Sequence, residues 1–275
     1  MIELIIEQRR RDLGSFEVGR VLPFAQRRMI GPYIFFDRMG PKDLAPGLPR
    51  EADVRPHPHI GLSTITYLFA GEIMHRDSVG SEQPVRPGEV NWMTAGRGIT
   101  HSERFEELRA KGGRFDGIQA WVALPDGREE MDPGFWHYAS DVLPVLDGDG
   151  ASGRLIAGRL AGVQSPVRID SPQFYVHWQL RAGARVSLPA EYSERAVYIA
   201  SGEVEVDGQR VDVGCMEQLD ALGGRAVDNR NHGSLLLDGC RAFYPAMSHV
   251  KAAASSGRLL TTSARAWPPA LAAAG

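Results

Sequence analysis

Short runs in which apolar side chains recur at every second position dominate this chain, a period that fits half-buried strands and not helices. They include Phe16–Leu22, Tyr33–Phe36, Ser63–Phe69, Val90–Met93, Ile118–Leu124, Phe174–Leu180 and Ala196–Ala200, all rich in Val, Ile, Tyr, Trp or Phe. Turn residues separate them: Gly71-Glu72, Pro87-Gly88, Pro125-Asp126-Gly127, Asp147-Gly148-Asp149-Gly150 and Asp207-Gly208. Helix start and stop signals are scarce, and only Glu103–Lys111 is locally helix-competent, with a loop as its other reading. Many short strands with Gly and Pro punctuation predict an all-β sandwich or barrel.

An internal repeat narrows this further. Tyr67-Leu68-Phe69-Ala70-Gly71-Glu72-Ile73 recurs as Tyr198-Ile199-Ala200-Ser201-Gly202-Glu203-Val204, and each copy runs on to a later glycine, Gly88 or Gly214. Two copies of strand, Gly-Glu turn and strand, about one small domain apart, predict two homologous barrels. The acidic, Gly-rich stretch at 147–153 is the expected linker. The predicted division is a first barrel over 1–135, a linker over 136–153, a second barrel over 154–250 and an irregular tail over 251–275. That tail is rich in Ala, Ser and Pro and lacks periodicity.

The composition excludes several classes. With 275 residues, 43% apolar and 24% charged, the chain resembles a soluble globular protein large enough for one big or two ordinary domains. A net charge of -3 gives no basis for nucleic-acid binding, and Arg9-Arg10-Arg11 is too short a basic run to change this. The two cysteines, Cys215 and Cys240, make neither a disulfide framework nor a metal knuckle. No stretch of about 18 apolar residues and no basic-then-apolar leader occurs, so a cytoplasmic protein with no membrane partner is expected.

The chemistry concentrates in histidine pairs. Of eight histidines, two form Pro56-His57-Pro58-His59, and the same spacing returns in His101-Ser102-Glu103. Residues two apart on a strand share a face, so each pair can aim into a barrel interior. Two such pairs on neighbouring strands would gather three imidazoles and one carboxylate, a donor set suited to a divalent transition metal with open positions. The repeat supplies an internal control. Sliding one copy on the other places Leu188 and Ala190 opposite His57 and His59, and Val227 and Asn229 opposite His101 and Glu103. The second barrel is therefore expected to hold no metal, and His232 is too isolated to restore a site.

Other residues read as structural first. His75-Arg76-Asp77-Ser78 is expected to form a hydrogen-bonded turn near the pocket mouth. Of Trp92 and Met93, one should fill the core and the other face the pocket. Arg97, between Gly96 and Gly98, is expected to stabilise its loop or to meet an anionic substrate. His137, His177 and His249 lack partners at ligand spacing.

The stretch HPHIGLSTITYLFAGEIMHRDSVGSEQPVRPGEVNWMTAGRGITHSER closely resembles the signature region of pirins, members of the bicupin superfamily. Upstream GPYIFFDRMGP and downstream GIQAWVALP resemble flanking segments of the same family, so the likeness runs from about Phe16 to Pro125. The resemblance implies two cupin jelly-roll barrels in one chain. It also implies His57, His59, His101 and Glu103 as metal ligands. Ordinary cupins place a Glu soon after the first His pair; here that position is Ser63 or Thr64, and the pirin pattern takes its carboxylate from Glu103 instead.

Iron(II) is the cofactor the resemblance implies, while Mn, Cu, Ni, Co and Zn remain compatible with the donors. Pirin-like proteins are associated with quercetin 2,3-dioxygenase activity, which opens a flavonol ring with release of carbon monoxide. On that reading the partners are a small enolic or phenolic substrate and O2, with Glu103 doubling as the base that takes the substrate's proton. The alternative implied by the family is a non-catalytic, metal-dependent redox sensor acting through a protein partner. Two barrels in one chain imitate the dimer of single-barrel cupins, so a monomer is expected.

Overall fold

Strand pairing sorts the chain into two large and two small antiparallel sheets. The computed structural model describes residues 2–13, 16–188, 192–219, 225–229 and 233–240. The expected tail over 251–275, with His232, His249 and Ala190, lies outside the described residues.

In the first barrel a seven-stranded sheet runs Gly134–Tyr138, Val90–Thr94, Leu62–Ala70, Gly113–Ala123, Tyr33–Leu44, Glu17–Leu22, Arg9–Asp12. A smaller sheet faces it, in the order Val54–His59, Ile99–Arg104, Ile73–Asp77, Glu82–Val85. The second barrel repeats the plan. Its large sheet is built on Cys215–Leu219, Glu194–Ser201, Gly233–Cys240, Gln173–Leu180 and Ala151–Leu160, and its small one is Arg185–Leu188, Arg225–Asn229, Val204–Val206, Gln209–Val211. This is the all-β bicupin fold.

The two large sheets pack against each other, and alternation decides which residues meet there. Ile65, Tyr67, Trp92 and Ile118 from one sheet join Tyr175, Tyr198, Met216 and Leu236 from the other in a single buried cluster. The Phe36 and Tyr198 rings lie 4.9 Å apart across the joint. The intervening residues of the same strands face the barrel interiors. Val176, Val197, Val204 and Val227 fill the second barrel. One end of the first is closed by Leu68, Ile73, Phe105 and Phe115.

The repeat seen in the sequence is reproduced bond for bond. Gly71 and Gly202 take φ of 86° and 85°, a left-handed turn that glycine adopts without a side-chain clash. The Gly88 N–H donates to Leu68 O at 3.0 Å, and Gly214 N–H donates to Ile199 O at 2.9 Å.

The boundaries differ from those expected. Ile2–Glu7 does not join the first barrel but pairs with Cys215–Leu219 at the edge of the second large sheet, because Ile6 is fully buried in the joint between sheets. Gly134–Tyr138 still belongs to the first barrel, running past 135. The expected linker is largely a hairpin: Val145–Gly148 pairs with Ala151–Leu160 around Asp149-Gly150. An Asp-Gly pair between alternating residues is a tight-turn signal, which outweighs the acidic composition. The helix begins at Glu106, not Glu103, since Glu103 and Arg104 remain bonded in the sheet ladder to the strand of His75. Truncating Ile6 to Ala should cost about 2–5 kcal/mol in urea unfolding, as expected for a fully buried Ile; an unchanged midpoint would mean the first strand does not secure the second barrel.

Candidate metal centre

Proline explains where the first histidine pair sits. Pro56 and Pro58 cannot donate to a ladder, so the strand that carries them must lie at a sheet edge, and Val54–His59 is the edge of the small sheet. Its one neighbour is Ile99–Arg104, with His57 directly opposite His101 and His59 opposite Ile99. One ligand nitrogen from each of His57, His59 and His101 falls within a group no wider than 4.8 Å. His59 and His101 are buried, and His57 is half-buried at the rim.

Hydrogen bonds determine which nitrogen each ring offers. His57 Nδ1 lies 2.9 Å from the carbonyl oxygen of Arg55. A carbonyl only accepts, so Nδ1 carries the proton and Nε2 keeps its lone pair. A longer chain orients His101. His75 Nε2 sits 2.9 Å from Asp77 Oδ2, which makes that nitrogen the donor and leaves His75 Nδ1 as an acceptor. His101 Nδ1 is 3.3 Å from it and donates to it. His101 Nε2 is thereby left free, 3.1 Å from His59 Nε2.

The donor set fits a divalent metal. Two nitrogens each about 2.1 Å from one ion at right angles would be about 3.0 Å apart, close to the His59–His101 spacing. Ligand imidazoles must be neutral. Burial, reinforced by the neighbouring His57, holds the His59 ring down to about 3, and the His101 ring is held down to about 2 by burial and the surrounding histidines.

Glu103 takes a different place from the three histidines. A bulge between His101 and Glu103 sets Glu103 opposite Val54 on one side and His75 on the other. Its carboxylate is not part of the close nitrogen group. It is buried, and burial pushes its carboxyl up to about 7 while a hydrogen bond from Thr66 acts the other way. Thr66 also meets Gln119 on the neighbouring strand, at 2.8 Å.

The wall around the histidines is aromatic. Trp121 lies edge-on to His59, with ring centroids 5.0 Å apart, and stacks on Phe35 at 4.0 Å. Phe135 stacks on His75 at 4.3 Å. Met93 packs with Phe135, while Trp92 points the other way into the joint between sheets. Arg97 forms an ion pair with Asp132 and its N–H bonds to Met131 O, so it stabilises its loop. His137 bonds to Asn91, and His177 meets the Tyr67 hydroxyl across the joint; neither approaches the histidine cluster.

The residues that correspond to the first histidine pair differ from those expected by sliding the repeat. Val186, not Leu188, is paired with Val227 as His57 is with His101, and both valines are buried. The offset is one of chain length: Val186 lies twelve residues before Tyr198, whereas His57 lies ten before Tyr67.

His75 and Asp77 do more than form the turn expected of them. Their turn role is real, since Asp77 Oδ1 accepts from the N–H groups of Val79 and Ser81. Asp77 Oδ2 meanwhile fixes His75 and, through it, His101. The signal was present: His75-x-Asp77 has the same two-residue spacing as the other pairs. Removing such an outer partner typically costs 10–100-fold in metal affinity, so Asp77→Asn is expected to weaken metal binding by roughly that factor in a calorimetric titration. Unchanged affinity would assign the pair to the turn alone.

Residues 15–122 match the family model described as Pirin. A pirin-like protein of Caulobacter vibrioides is 62% identical over 212 residues, covering 77% of this chain and 74% of its own. The chain belongs to the pirin family. Another relative, from Pseudomonas aeruginosa, is 38% identical over 82% of this chain and 67% of its own; its name proposes quercetin 2,3-dioxygenase activity. The crystal structure of a quercetin 2,3-dioxygenase from Acinetobacter baumannii superposes with a TM-score of 0.81, at 33% identity, over 91% of this pirin and 86% of that chain. No helix among the described residues is long and apolar enough to cross a membrane.

Proposed function

We propose that this pirin is a metal-dependent dioxygenase that opens a small enolic or phenolic ring compound, of which the flavonol quercetin is the test case. The observation that carries the reading is the set of three buried or half-buried imidazoles whose free nitrogens converge beside a separate buried carboxyl. Fe(II) is the proposed metal, with His57, His59 and His101 holding it and Glu103 as the fourth ligand or the adjacent base. Bound there, a divalent metal supplies the positive charge that acidifies an enol or phenol hydroxyl and the redox chemistry needed toward dioxygen.

The chain's own residues do the rest. Burial keeps the Glu103 carboxyl near neutrality, where it can accept a substrate proton at its oxygen and hold it. Asp77 and His75 keep His101 in one tautomer, so its lone pair always points to the cluster. Trp121 and Phe35 form a flat, apolar wall beside His59 that suits a planar aromatic ring.

The test is anaerobic loading with ferrous iron, addition of quercetin and air, and measurement of flavonol absorbance together with metal content. Metal-dependent loss of the flavonol supports the assignment. With iron bound and no loss across flavonols and catechols, the oxygenase reading falls and a non-catalytic, metal-binding pirin takes its place. Glu103→Gln separates the base role: turnover at the parent rate with metal retained would remove it.

A further inference from the structure

Outside the barrel, on the reverse side of the metal-bearing strand, lies a second feature of different chemistry. Alternation along Ile99–Arg104 sends His101 and Glu103 inward, and Ser102 and Arg104 to the other face. Arg76 lies directly opposite Ser102 on the neighbouring strand. With Arg50, Arg109, Asp53 and Glu106 these arginines line a cavity of about 510 Å³. That is within the range of about 300–1,000 Å³ common for small-molecule sites.

The charges are unevenly partnered. Asp53 accepts from Arg109 at 2.6 Å, and Arg109 Nε donates to Leu48 O. Glu106 and Glu82 both accept from Arg76, at 2.6 and 2.7 Å. Two of the four guanidiniums are thus held in place by carboxylates. Arg104 makes only a long 3.4 Å contact with Ser102 Oγ, and Arg50 has no carboxylate partner among the described residues. Even with Glu82 included, four arginines face three carboxylates, so the lining keeps an excess of positive charge. Two unpaired guanidinium forks beside two fixed ones suit a tetrahedral oxyanion, which arginine grips through paired N–H groups.

We propose that this cavity binds a small molecule carrying a phosphate monoester or diphosphate group. The site is separate from the metal pocket, since the strand between them presents opposite faces to each. Neither its ligand nor its residues enter the proposed oxygenase chemistry.

The probe is inorganic pyrophosphate, titrated calorimetrically into the full chain at constant ionic strength. One saturable site is expected, weakened at least tenfold in Arg104→Gln and in Arg50→Gln. Both replacements keep a polar side chain and remove the charged guanidinium fork, and Arg50 is exposed and Arg104 half-buried, so the core is untouched. Arg10→Gln, at a highly exposed position elsewhere, should leave binding unchanged. Binding should also survive in His101→Ala, which separates this site from capture of pyrophosphate by a metal. No saturable binding, equal binding by both cavity variants, or loss in His101→Ala alone would overturn the site. Citrate binding as tight as pyrophosphate would overturn the phosphate assignment.

Discussion

A His101→Ala variant is expected to lose stoichiometric metal, and with it the turnover proposed above. His101 faces His57 across the ladder, touches His59 through Nε2 and receives its orientation from His75, so it is the centre of the cluster. Its removal should exceed the roughly 10–100-fold loss that outer partners cause. A folding readout reports this without any substrate. A ligand that binds only the native state at 100 times its Kd stabilises it by about 2.7 kcal/mol, and that metal-dependent rise in stability should vanish in the variant. A variant that keeps one bound metal at the parent affinity would sink the three-histidine centre.

The second large effect concerns stability and pH. Glu217 is fully buried in the second barrel, on the strand face shared with Leu219, and neither carboxylate oxygen has a hydrogen-bond partner among the described residues. Burial, with Asp207 adding repulsion, pushes its carboxyl from the ordinary 4.5 up to about 8. Because the folded value lies above the unfolded one, folding favours the protonated form. The stabilisation is complete below about 4.5 and is lost as pH rises through about 8. At about 1.4 kcal/mol per unit, the loss amounts to a few kcal/mol across that window. Glu217→Gln keeps the shape and removes the titration, so its unfolding free energy should stay flat where the parent's falls, and exceed it above pH 8. Parallel pH profiles for the two proteins would show that Glu217 is not a buried, unpaired acid.

These two residues mark opposite uses of burial. Around His59 and His101, desolvation keeps imidazoles neutral at ordinary pH, which is what a metal ligand requires. Around Glu217 the same desolvation opposes a charge that no hydrogen bond offsets among the described residues. The second barrel carries Val186 and Val227 where the first pairs His57 with His101, and a carboxyl in such an apolar interior is a local cost to folding.

Local pattern carried much of this protein in its sequence. Alternating apolar residues defined the strands, the Gly71 and Gly202 turns announced two barrels, and the two-residue spacing in His57-x-His59 and His101-x-Glu103 put each pair on one face of its strand. Each depends on chemistry within a few neighbours: the pleat, the left-handed glycine, the edge strand enforced by Pro56 and Pro58. What only the tertiary structure decided involves partners far along the chain. Ile2–Glu7 crosses to the second barrel because its edge pairing lies more than two hundred residues away. The register shift in the edge strand places Val54 opposite Glu103, and the link from Asp77 through His75 to His101 exists only where two strands meet. Period two determines which face a residue occupies, but only the register between strands decides which residues touch.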